Sequence, residues 1–77
     1  MNPRLLKQAI VYVNALETLS LTSLQGKDIT KAKENAEIEQ AFLYAVAEIA
    51  GLSRADAKKA IDLCVAEKVA GYKGLVK

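Results

Sequence analysis

Apolar side chains return every three or four residues through the first part of this chain. Between Pro3 and Leu19 they fall at Leu6, Ile10, Val13 and Leu16, the period of an α-helix, and Leu5, Ala9, Val11 and Leu19 widen the stripe. A helix apolar around more than half of its circumference needs cover on two sides. Its start is marked by Asn2-Pro3: the Asn side chain can accept a hydrogen bond from an unpaired N–H of the first turn, and Pro fits the first helical position.

The stretch from Ser20 to Asp28, SLTSLQGKD, interrupts this pattern, because Ser, Thr and Gly weaken a helix. Leu19, Leu21 and Leu24 fit either a frayed helix end or a short extended piece, and Gly26 ends the run. A second helix is predicted from Asp28 or Thr30 to Ala50, with Ile38, Phe42, Ala45, Val46 and Ile49 on its inner face and Lys31, Glu34, Glu37 and Glu48 among its polar residues. Gly51 offers the left-handed conformation that a helix C-terminus favours. Ser53 is the next N-cap, and Asp56 three residues on echoes a capping box and puts a negative charge in the first turn. The third helix is predicted over Arg54 to Lys68, with Ala57, Ala60 or Ile61, Cys64 and Val65 inward and Arg54, Ala55, Lys58, Lys59 and Asp62 outward. In the tail VAGYKGLVK two glycines flank Tyr72-Lys73, which reads as a turn with short extended arms.

The pattern is therefore all-α: one domain over 1–77, a small three- to four-helix bundle. Composition agrees, since hydrophobic residues make up 52% of the chain and 13 of them are Ala, which favours helix and lets backbones approach closely. At 77 residues the core is small, and stability is thin or shared with a partner. The single Cys rules out an intramolecular disulfide and fits a cytoplasmic setting. Gln8, Asn14 and Glu17 interrupt the apolar start, so it is not read as a signal peptide, and no apolar run is long enough to span a membrane. The net charge of +2 is uneven: residues 52–77 carry six basic against three acidic side chains, a balance suited to nucleic-acid phosphate or an acidic partner.

The corner between the second and third helices carries the most specific pattern. Ala47, Gly51, Leu52, Ala57, Ile61 and Cys64 supply a small residue at the crossing, a glycine turn, an apolar residue after it and buried positions on the next helix. Over Leu43 to Lys77 the chain resembles the winged helix-turn-helix regulators of bacteria, in which a Gly-apolar-Ser-Arg stretch opens the recognition helix. The resemblance implies a helix-turn-helix corner with a rudimentary C-terminal β-wing. It implies Arg54, Ala55, Lys58 and Lys59 in the major groove of double-stranded DNA, and Tyr72 and Lys73 near the backbone. A tight corner in any helical bundle favours the same small residue, Gly cap and Ser N-cap.

Other candidates weigh less. Cys64 has no His to activate it and reads as a small buried hydrophobe. Glu34, Glu37 and Glu39 on one helix face do not converge enough oxygens for a cation. Tyr12 and Tyr44 fit the core, whereas Tyr72 is a plausible contact. GYKG lacks the length of a phosphate-binding loop. With no His, no metal ligands and no phosphate loop, an enzyme is not expected, and no cofactor is implied. Two functions remain. One is a small DNA-binding transcriptional regulator, homodimeric through the wide face of helix 1 at Leu5, Ala9, Val11 and Tyr12. The other is a helical protein-interaction module, an adaptor or inhibitor of the kind phages and mobile elements encode, with no nucleic-acid role.

Overall fold

The first helix begins where Asn2 caps it. Asn2 Oδ1 accepts hydrogen bonds from the Arg4 and Leu5 backbone N–H groups at 2.9 and 3.2 Å, and Pro3 occupies the first helical position. The structure, a computed structural model, describes residues 1–75 and contains three helices in that span: α1 (Pro3–Leu24), α2 (Thr30–Ile49) and α3 (Arg54–Leu75). α2 is one uninterrupted rod.

Both interhelical turns use the same device. Gly26 and Gly51 have φ of 69° and 72°, the left-handed region that disfavours other residues. After α1, the Lys27 N–H donates to the Thr22 carbonyl and the Gly26 N–H to that of Ser23; after α2, the Leu52 N–H donates to the Ala47 carbonyl at 2.8 Å and the Gly51 N–H to that of Glu48 at 3.0 Å. These are paired Schellman closures. Only the second turn places an apolar residue beyond its glycine, Leu52, which packs against the core. Asp28 Oδ1 accepts from the Thr30 N–H and hydroxyl at the start of α2. Ser53 and Asp56 form a reciprocal box at the start of α3: the Ser53 N–H donates to Asp56 Oδ2 at 2.9 Å and the Asp56 N–H to Ser53 Oγ at 3.3 Å.

Two helices run further than their sequence predicts. α1 continues through Leu24, and its hydroxyls donate back along the helix, Thr18 Oγ1 to the Asn14 carbonyl at 3.1 Å and Thr22 Oγ1 to that of Thr18 at 2.7 Å, so they do not offer the backbone a competing partner. α3 passes Lys68 and both glycines to reach Leu75, so the expected wing continues as helix. Its last turns are tied to α1 by Glu17, which takes hydrogen bonds from Lys68 Nζ and the Tyr72 hydroxyl. Val76 and Lys77, the end of the expected wing, lie outside the described residues.

The core is built around α1, which packs along both other helices, while α2 and α3 touch each other least. Leu5, Ala9, Tyr12 and Val13 of α1 meet Leu43 and Ala47 of α2 and Ala57, Ala60 and Cys64 of α3. Five of these nine are Ala or Cys, so the helices approach closely and little volume is enclosed. The body is flattened, with extents of 39 × 34 × 15 Å.

The inner face of α2 differs from the one expected. Ala36, Leu43 and Ala47 are buried, whereas Ile38, Phe42, Ala45 and Ile49 are exposed and only Val46 of the expected row is partly covered. Periodicity located an apolar face correctly but could not say which of two faces is covered.

Candidate functional site

The described residues contain no group of three or more His, Cys, Asp or Glu side chains able to hold a metal ion. None of their helices is long and apolar enough to cross a membrane. Cys64 is buried, and loss of solvation raises its thiol pKa, so it is held as an unreactive thiol.

The outward residues expected on α3 are exposed: Arg54, Ala55, Lys58, Lys59 and Asp62 all face solvent. Arg54 lies over the ring of Tyr44 with its guanidinium carbon 5.0 Å from the ring centre, which ties the start of α3 to α2. Asp62 follows Lys58 by one helical turn and puts a carboxylate into the middle of the basic face. Tyr72 and Lys73 are also exposed, but they lie at the far end of the same helix. Eighteen residues separate Arg54 from Tyr72, roughly 27 Å at the helical rise. The six expected nucleic-acid contacts therefore form two groups at opposite ends of α3.

Tyr72 has a partner within the chain. Its hydroxyl donates to the Glu17 carboxylate, which lies 3.3 Å from Lys68 Nζ. The Tyr72 bond and then the Lys68 bond hold the Glu17 carboxyl below its ordinary pKa, and the same carboxylate pushes the Tyr72 phenol up. This clip crosses an apolar groove of about 410 Å³ between α1 and α3, lined by Val13, Leu16, Leu21, Val65 and Val69.

The residues expected to form a seam on helix 1 divide. Leu5, Ala9 and Tyr12 are buried in the chain's own core, and only Val11 is exposed. The Tyr12 hydroxyl accepts a hydrogen bond from Gln40 Nε2 of α2 at 3.3 Å, and burial raises its pKa. The apolar width of helix 1 serves α2 and α3 on either side, and three of the four proposed contacts are closed to a second molecule.

A row of exposed apolar side chains lies on α2. Ile38, Phe42 and Ile49 are 52%, 55% and 85% exposed, with Ala45 exposed between them. Their spacing of four, three and four residues makes one stripe, and at 100° per residue it lies roughly 150° around the helix from Ala36, Leu43 and Ala47. α2 thus carries two apolar faces. At its C-terminal end, Arg4 of α1 lines a shallow pocket with Val46 and Ile49. On the same flank, seven residues before Val46, Glu39 takes hydrogen bonds from Gln8 Nε2 at its backbone carbonyl and at Oε2, 3.1 and 2.9 Å away.

The sequence shows an Ala-rich row on α2 opposite a row of bulky side chains, but not which of the two is covered. The Glu17 clip carried no local signal, because its partners lie 51 and 55 residues away. Compared with known families, curated proteins and solved structures, the chain matches none.

Proposed function

We propose that this protein is a helical protein-interaction module that works through the outer face of α2. The observation that carries this reading is the exposure of Ile38, Phe42 and Ile49 in one stripe on the side of α2 away from the core. Scattered exposed hydrophobes are normal on a protein surface, but a contiguous stripe of large ones on one helix is the mark of a docking face. Its neighbours Glu34, Glu37 and Glu48 keep the surroundings of the stripe hydrated and frame it with charge.

The test is a photo-crosslinking amino acid at Ile49, where the exposed side chain contributes nothing to the core, compared with the same group at Thr18 on an exposed polar position of α1. A discrete protein adduct from Ile49 and none from Thr18 supports the reading. Equal or absent labelling at the two positions sinks it.

Double-stranded DNA binding through α3 is the second reading, and exposure of both Lys58 and Lys59 in the first turns after the Gly51 corner favours it. It predicts micromolar binding of labelled duplex DNA, read by fluorescence anisotropy, that weakens steeply with salt and is lost in Lys58→Ala/Lys59→Ala. Absence of binding at low salt removes it.

A further inference from the structure

We infer that the outer face of α2 receives a second copy of this chain, docked antiparallel about a twofold axis at the middle of the helix. The inference rests on the interaction reading above and names its partner. In a twofold interface the same patch meets itself, so the patch must match its own reverse. The α2 stripe does. Ile38, Phe42, Ala45 and Ile49 have the same spacing read in either direction. Reversal sets Ile38 opposite Ile49 of the second copy and Phe42 opposite its Ala45. A large ring then meets a small side chain twice, and β-branched ends meet each other, which is the alternation of bulk and gap that close helix packing uses.

Charge follows the same symmetry. Arg4 sits beside Val46 and Ile49 at one end of the stripe, and Glu39 stands on the same flank near the other end. The twofold operation brings Arg4 of each copy to the level of Glu39 of the other. Among the described residues Arg4 has no ion pair, and the hydrogen bonds from Gln8 engage only Oε2 and the backbone carbonyl of Glu39. Two reciprocal pairs across the axis would fix the antiparallel register.

The experiment is sedimentation of the full chain from micromolar to millimolar concentration, for the natural sequence and four variants whose helicity is checked by circular dichroism. The natural chain should pass from monomer to dimer. Ile49→Asp, at an exposed position that cannot disturb the core, should weaken dimerisation about tenfold or more by placing a charge in the apolar seam. Arg4→Glu and Glu39→Arg should each weaken it several-fold, and the double variant should recover most of the loss. A chain that stays monomeric at every concentration, or a dimer indifferent to Ile49→Asp, overturns the inference. A double variant as weak as the two single losses combined overturns the antiparallel register. Should Glu39→Arg not fold, Ile49→Asp and Arg4→Glu decide alone. The crosslinker at Ile49 separates the two levels: an adduct to a different protein from a monomeric chain removes the second copy and keeps the interaction surface, and no adduct removes both.

Discussion

The two apolar faces of α2 divide bulk in an unexpected way. The inner face, which meets α1, carries Ala36, Leu43 and Ala47, while the outer face carries Ile38, Phe42 and Ile49. Volume on a helix is usually taken as the sign of the core, but here two of the three buried residues are Ala, and three large side chains, Ile38, Phe42 and Ile49, lie outside. Small side chains let α1 lie close, and Leu43 then fills the space that remains. The outer face has no such neighbour in the chain. A helix with apolar residues on both sides serves two contacts, and only one of them is made within the fold.

The sharpest way to break this comparison is to truncate neighbouring residues on opposite faces. Leu43 is 0% exposed, so Leu43→Ala should cost about 2–5 kcal/mol through lost burial and the cavity left behind. Phe42→Ala removes a larger side chain from the outer face and should change the stability of the dilute monomer by about 0.5 kcal/mol or less. Urea unfolding at low protein concentration measures both. Equal losses would mean that Phe42 belongs to the core and that the outer face is not free.

Enlargement tests the same contrast from the other side. Ala47 lies in the close approach of α2 to the core and Ala45 does not, so Ala47→Leu should destabilise by about 1–3 kcal/mol through overpacking. Ala45→Leu should leave the monomer's unfolding midpoint almost unchanged. It should also weaken association in the sedimentation experiment, because Phe42 of the second copy needs the space that Ala45 leaves.

The corner that directs α3 away from the end of α2 comes next in size. Nothing lies within 4 Å of where a Cβ would stand on Gly51, so Gly51→Ala meets no clash and its cost is the left-handed backbone alone, about 1–2 kcal/mol. Gly26, with similar φ and equally open space, should respond alike. A much larger loss at Gly51 would show that the turn also holds the packing of Leu52, and with it the separation of the two faces of α2.

These elements were unequally legible in the sequence. The Asn2 cap, both glycine turns and the Ser53–Asp56 box were readable because each is local: the residues that bond lie within a few positions of one another. The ends of α1 and α3 were not. Thr22 reads as helix-weakening until its hydroxyl is seen bonding to the Thr18 carbonyl four residues back, and Gly71 and Gly74 read as a turn until Glu17 is seen holding Tyr72. The face of α2 shows the clearest limit. Period and size revealed that Ile38, Phe42, Ala45 and Ile49 share a side, but what covers a side depends on where α1 lies, and no property of α2 alone encodes that. On α3, by contrast, the small residues Ala57, Ala60 and Cys64 were placed inward correctly because charged residues occupied most of the alternatives, although Val65, expected in the same row, is exposed. The helix-turn-helix resemblance rested on the local corner, and α3 continuing as helix through Leu75 leaves its wing without a counterpart in the described residues.

The smallest expected effect comes from the charge that holds the corner. Hydrogen bonds from the Ser53 backbone N–H and then the Ser53 hydroxyl hold the Asp56 carboxyl below its ordinary value of 3.8, with a smaller contribution from Lys59. A depressed folded-state pKa means that the unfolded chain binds the proton more readily. The stabilisation is therefore complete above the unfolded value and is lost as pH falls through the folded one, below about pH 4. Asp56→Asn keeps an acceptor for the Ser53 N–H but removes the titration. Between pH 5 and pH 3 the natural chain should lose more of its urea midpoint than Asp56→Asn does, by a small margin because the carboxylate is solvent-screened. The effect should appear equally in Ile49→Asp, because the box steadies the start of α3 and takes no part in the outer face of α2. If the acid sensitivity vanished in Ile49→Asp at matched monomer concentration, the corner and the outer face would be coupled and could not be treated as separate parts of the helix.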